Sequence, residues 1–137
     1  MIGLLIGALL KLHPSPPNIT KQVGTFVLVM QGHPEAAQDI DQDTAVAAAL
    51  RSISTQGAAN GAPAVQGYRL TSAYHAVGLM RARTMDGRSE SDFDRPQDAW
   101  VLEFAAPSQL GWAHVSAFAI VDARSGKVVS FSEEKTN

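Results

Sequence analysis

Asp39-x-Asp41-x-Asp43 sets three carboxylates at alternate positions, the opening spacing of an EF-hand calcium loop. That loop also needs glycine at its sixth position and a bidentate glutamate at its twelfth. Here those positions hold Thr44 and Leu50, so the pattern fails. Carboxylates ahead of an alanine-rich segment read instead as caps, because a helix N-terminus offers free amides and the positive end of the macrodipole. A second acidic group, Asp86, Glu90, Asp92, Asp94 and Asp98, is interleaved with Arg88 and Arg95 and reads as a solvated mixed-charge loop. The four histidines, His13, His33, His75 and His114, contain no H-x-x-x-H or H-E-x-x-H pair, which excludes a helical zinc site of that type. His75 and His114 fall on expected strands, and with Ser116 and an aspartate they supply the parts of a hydrolytic triad. A nucleophile of that kind sits on a sharp turn or helix start that furnishes oxyanion donors. Ser116 falls mid-strand, so both histidines read as structural or solvent-facing. No phosphate-loop, dinucleotide or nucleophile-elbow motif is present, and Gly57-Ala58-Ala59-Asn60-Gly61 lacks the lysine of a phosphate loop. The absence of cysteine removes thiolate nucleophiles, disulfides and zinc–thiolate sites. No catalytic residue, metal ligand or cofactor is therefore assigned.

The elements around these residues suit one domain. The 137 residues are 45% hydrophobic and 18% charged, enough to bury a core without staples. Net charge is −2, and only Arg81, Arg83 and Arg88 come near each other, too few for a nucleic-acid-binding face. Val23–Met30 is short, apolar and β-branched, which predicts a buried strand. Pro34 suits a first helical turn, and Asp41 or Asp43 would cap a helix over Thr44–Gln56. Val46, Leu50 and Ile53 form its apolar stripe, the neighbouring alanines allow close approach to a sheet, and Gly57 stops it. From Gln66 the pattern becomes β. A strand runs to about Thr84 with a bulge at Gly78, where the alternation changes phase. Asp86–Gln97 reads as an exposed loop. Trp100, Leu102 and Phe104 mark one face of the next strand. Ala113–Asp122, apolar on both sides, predicts a central strand. Asp122–Lys127 is a hairpin turn with Gly126 at positive φ, Val128–Ser132 closes the sheet, and Glu133–Asn137 should fray. The expected fold is α+β, in the order β-α-β-β-β-β, with one helix on a four- to five-stranded antiparallel meander spanning residues 23–137.

Residues 1–22 stand apart. Ile2–Leu10 is an uninterrupted apolar run, too short to span a bilayer, which takes about 20 residues. It also lacks the basic flank and small-residue site of a signal peptide. Three readings stay open: the tail of an anchor or signal begun upstream, a segment buried at a membrane interface or partner, or a first element of the fold. Pro14, Pro16 and Pro17 make His13–Gln22 a linker.

Trp100-Val101-Leu102-Glu103-Phe104 resembles the "W-x-V-x-F" strand of PepSY-type domains, and Ala119-Ile120-Val121-Asp122-Ala123-Arg124-Ser125-Gly126-Lys127-Val128 resembles their "V-x-V-D-A-x-[ST]-G-K-V" hairpin. The helix at Thr44–Ser54 lies where that family places its own. The resemblance covers about Asp41 to Phe131. It implies an extracytoplasmic or membrane-associated inhibitor or regulator that acts on a protein partner and has no catalytic residues. The expected function is thus a non-enzymatic accessory module, exported or attached through Ile2–Leu10 to a membrane complex. The alternative is a cystatin-like or NTF2-like pocket protein, binding or converting a small molecule in a cavity lined by Tyr68, Tyr74, Trp100, His114 and Phe118.

Overall fold

A computed structural model describes residues 18–31, 39–59, 61 and 63–137. In chain order these form β1 (Asn18–Val23), β2 (Phe26–Gln31), α1 (Gln42–Ala59), β3 (Arg69–Thr84), β4 (Glu90–Ala106), β5 (His114–Asp122) and β6 (Val128–Thr136). The strands make one open antiparallel sheet in sequential order, with α1 laid on it. The α+β class and the meander match the sequence pattern; the order, β-β-α-β-β-β-β with six strands, does not. The apolar run Ile2–Leu10 and the helix start expected at Pro34 lie outside the described residues.

The extra strand comes from Gly24. Val23 pairs with Phe26, so Gly24-Thr25 is a two-residue hairpin loop. Gly24 has φ +56°, and Thr25 keeps a negative φ, the combination of a II′-type turn. The expected single strand Val23–Met30 therefore folds back on itself. Asn18–Val23, expected as linker through Gln22, becomes an edge strand exposed along almost its whole length.

β4 begins at Glu90 rather than near Trp100. Its charged first half, expected as a loop, pairs with β3, and Arg81 binds Asp92 at 2.6 Å and Glu90 at 3.5 Å. Opposite charges across a ladder favour pairing even at an exposed site. Pro96 fits because Arg81 pairs with Asp92 and Leu79 with Gln97, leaving residues 93–96 as a bulge where no amide donor is needed. The bulge expected at Gly78 is present, with φ +70° and a register shift between Ala76 and Leu79. β6 continues to Thr136 instead of fraying after Ser132, pairing with β5 as far as His114. Glu134 on β6 also forms an ion pair with Arg88 of the β3–β4 turn.

Each face of the sheet carries a core. On one, Ala45, Ala49 and Ile53 of α1 are buried against Leu102, Phe104, Ala117, Ala119 and Val121. The expected stripe Val46/Leu50/Ile53 is rotated: Val46 and Leu50 flank the contact, and the alanines enter it, since only a methyl-sized side chain fits where helix and sheet backbones approach closely. On the other face the bulged sheet curls on itself. Phe26, Leu28 and Met30 of β2 join Leu79, Val101, Phe118 and Ile120, and the Phe26 and Phe118 rings meet edge to face at 5.3 Å. The space there, a cavity of about 10 Å³ beside Phe26, Phe118 and Ser130, would take a single water at most.

The β4–β5 connection carries a local strain. Gln109 and Trp112 pair around Leu110 (φ 54°) and Gly111 (φ 83°), a I′-type turn that favours Asn-Gly. A branched residue in left-handed backbone costs about 1–2 kcal/mol, and Leu110 is 50% exposed, so packing returns little. Leu110→Asn is expected to raise stability by about 1 kcal/mol, read as a higher urea midpoint with an unchanged slope. A lower midpoint would show that Leu110 packs more than its exposure suggests.

Candidate functional site

The most chemically loaded region lies where the segment leading into α1 meets the sheet. Ile40 ties it down: its amide donates to the Ala123 carbonyl at 2.7 Å, and its carbonyl accepts from Trp100 Nε1 at 2.9 Å. Asp41 then caps the helix, its Oδ1 accepting from the Thr44 amide at 2.8 Å. The hydrogen bonds from Thr44 hold that carboxyl below its ordinary range. Asp39, two residues earlier, turns inward.

On the sheet, His75 of β3 is the cross-strand partner of Trp100 on β4. Their rings stack at 4.8 Å, 15° from parallel. His75 Nε2 lies 2.8 Å from Asp39 Oδ2. Asp98, two residues before Trp100, accepts from the Gly78 amide at 3.1 Å, so the β3 bulge supplies a donor to a buried acid. Arg124, from the β5–β6 turn, reaches both acids, with Nε 3.5 Å from Asp39 Oδ1 and a terminal nitrogen 3.9 Å from Asp98 Oδ2. Both carboxylate side chains are 3% exposed, whereas Arg124 is 58% exposed and covers them from the solvent side. Burial pushes the Asp39 carboxyl above its ordinary range; the His75 hydrogen bond opposes this, and Asp98 adds to it. This arrangement clamps four chain segments together. Among the described residues, no three His, Asp or Glu side chains form a group able to hold a metal ion.

The register also keeps the two histidines and Ser116 from forming one group. His75 pairs with Trp100 and, through it, with Val121, whereas His114 lies beyond the Ala106–Val115 pair at the other end of the sheet. Ser116 belongs to that far end. The pocket expected from Tyr68, Tyr74, Trp100, His114 and Phe118 is not assembled either. Tyr68 and Trp100 pack on the helix side, Tyr74 and Phe118 on the opposite face, and His114 is exposed. A register shift between Leu70 and Ser72 reverses the alternation, which puts the two tyrosines on opposite faces. Tyr68 stands edge-on to Phe104 and donates to Glu133 at 2.5 Å. Burial, reinforced by Glu133, drives its phenol well above the ordinary range. Tyr74 lies under Lys21, whose Nζ is 4.6 Å from the ring centre.

Sequence reasoning therefore missed the association of Asp39, His75, Asp98 and Arg124. The one available signal was Asp98, an acid directly beside the apolar run Ala99-Trp100-Val101. Another buried acid, Glu103, serves the opposite face, where it accepts from the Thr25 amide at 2.7 Å and hydroxyl at 3.0 Å. Set against protein-family models, curated proteins and solved structures, the chain matches none of them.

Proposed function

We propose that the chain is a non-enzymatic accessory module of PepSY-like type, exported or held at a membrane complex, which binds a protein partner along an open edge of its sheet. The observation that carries this reading is β1. Among the described residues nothing pairs with its outer edge, and five of its six residues are exposed, so its backbone can template a strand from another chain. Lys21 is its only charged residue, a light guard against pairing. The turn at Asp122–Lys127 supports the resemblance: Asp122 accepts from the Ser125 hydroxyl at 2.7 Å, and Gly126 has φ +75°. The division of the five aromatic and histidine side chains between two faces and a strand end favours docking over the pocket-protein alternative. Among the described residues no helix is long and apolar enough to cross a membrane; attachment is assigned to Ile2–Leu10.

The test uses the ladder geometry. Val23 and Phe26 close the hairpin, so alternate residues of β1 bond inward and the Thr20 amide points to the free edge. Thr20→Pro removes an outward donor and leaves the β1–β2 ladder intact. The variant is expected to keep its thermal transition and to lose a protein that the wild type captures from extracts of its native source. Equal capture by both proteins, or by neither, would overturn edge docking.

A further inference from the structure

We propose that the β4–β5 turn is a lipid-contact tip, whose Leu110 and Trp112 enter the headgroup–acyl boundary of a bilayer that carries anionic lipid. Neither docking along β1 nor attachment through Ile2–Leu10 is needed for this contact.

Among the described residues, the exposed large hydrophobic side chains are Ile19, Met85, Leu110, Trp112 and Val129, and two of them share this one turn. Leu110 stands there at a cost, with φ 54° in a position that suits asparagine. A strained apolar residue that faces water raises the question of what it meets. The turn is also held rigid. The amides and carbonyls of Gln109 and Trp112 bond to each other at 3.1 and 2.9 Å. The Gln109 side chain accepts from the Gln66 amide at 2.7 Å and donates to the carbonyls of Gln66 and Pro107 at 2.8 and 3.0 Å. The Ser108 hydroxyl donates to the Ala113 carbonyl at 2.6 Å. Leu110 and Trp112 are therefore presented on a preorganised loop, which lowers the entropy lost on binding.

The same bonds select lipid as the occupant. The side-chain polar groups of Ser108 and Gln109 are satisfied within the protein, so leaving water strands neither and demands no matching donor from a partner. No charged residue occurs from Phe104 to Val121, and a tryptophan with an apolar ring and one N–H suits the headgroup level. Charge behind the tip complements an anionic surface. Arg69 lies opposite Ala105 and Lys135 opposite Val115. Both stand roughly 10 Å behind the Gln109–Trp112 pair at strand spacing. Interfacial segments sink about 5–10 Å, so these side chains come level with the phosphates as the tip enters. The acids on the same stretch are matched: Glu133 accepts from Tyr68 and faces Lys135 at 3.8 Å, and Glu134 pairs with Arg88. Arg69 is exposed and has no acidic partner among the described residues, which leaves the surplus positive.

Two readouts on the full chain test the contact, using vesicles of phosphatidylcholine with and without phosphatidylserine. The chain has two tryptophans, and Trp100→Phe leaves Trp112 as the sole emitter. Its emission is expected to shift to shorter wavelength on adding vesicles, more so with phosphatidylserine, and to be quenched by lipid brominated high on the acyl chain. In co-sedimentation, Leu110→Asn is expected to bind phosphatidylserine vesicles about tenfold more weakly than the wild type, the effect of keeping the exposed half of a leucine in water. Because Leu110→Asn should stabilise the fold, this loss cannot come from unfolding, and a purely structural Leu110 would not produce it. Trp112 emission unmoved by vesicles would overturn the tip, even if Ile2–Leu10 carries the chain to them. So would equal sedimentation of the two proteins, or a Trp112 shift produced by a protein partner and not by vesicles. Should Trp100→Phe fail to fold, the sedimentation pair, which keeps both tryptophans, decides the matter alone.

Discussion

Replacing Phe104 with alanine is expected to destabilise the protein by about 3–5 kcal/mol, the usual range for a buried aromatic ring. Phe104 is 1% exposed and sits on the central strand β4, paired with Leu70 of β3 and Ala117 of β5. Around it stand Ala45, Ala49, Ala117 and Ala119, with Ile53, Leu102 and the edge of Tyr68. This composition argues for the upper half of the range. Alanines have no further atoms to swing into a vacated space, and they are held on regular helix and strand backbone, so the cavity cannot collapse. Urea denaturation monitored by circular dichroism measures the effect; a loss below about 1 kcal/mol would mean the ring does not anchor the helix to the sheet. Trp100 offers a useful contrast. It is only partly buried, and Trp100→Phe would retain much of the packing while giving up the bond to Ile40, so its main effect should fall on the pre-helix segment.

The parts of this fold that were legible in the sequence are those whose signal is local. Gly126 after Asp122 marks a turn because the backbone there needs positive φ and the aspartate bonds its own following residues. Gly78 marks a bulge because the alternation of Tyr74–Ala76 against Leu79 visibly changes phase. The missed parts depend on partners distant in sequence. Asn18–Gln22 is polar and follows three prolines, and it is a strand only because β2 pairs with it. Residues 90–95 look like a charged loop, yet Arg81 and Arg83 lie across from them. The helix face was ambiguous because alanines occupy several sides of α1; periodicity weights the large residues, while the approach distance selects the small ones. The acid–histidine cluster joins four segments, and no spacing rule relates positions 39, 75, 98 and 124 before the sheet register is known.

Gly24→Ala should be the most disruptive of the small substitutions, costing about 3 kcal/mol, from about 1–2 for left-handed backbone and a similar amount for displaced hydrogen bonds. With φ at +56°, an added Cβ would lie 2.5 Å from Glu103 Oε1 and 2.7 Å from its Cδ. A flexible glutamate on the surface would move aside freely. Glu103 cannot, because it is buried and accepts from both the amide and the hydroxyl of Thr25. To make room it must surrender charge-assisted bonds and stay desolvated, or the β1–β2 turn must lift from the sheet face. A double-mutant cycle separates the two costs. In a Glu103→Ala background the obstruction is gone, and Gly24→Ala should cost only the backbone penalty of about 1–2 kcal/mol. Strict additivity of the two substitutions would show that Gly24 and Glu103 do not touch energetically, and that the turn is positioned by the Phe26–Phe118 contact instead. Because this turn sets how β1 is presented, Gly24→Ala should also weaken any docking along that edge, even at temperatures where the protein remains folded.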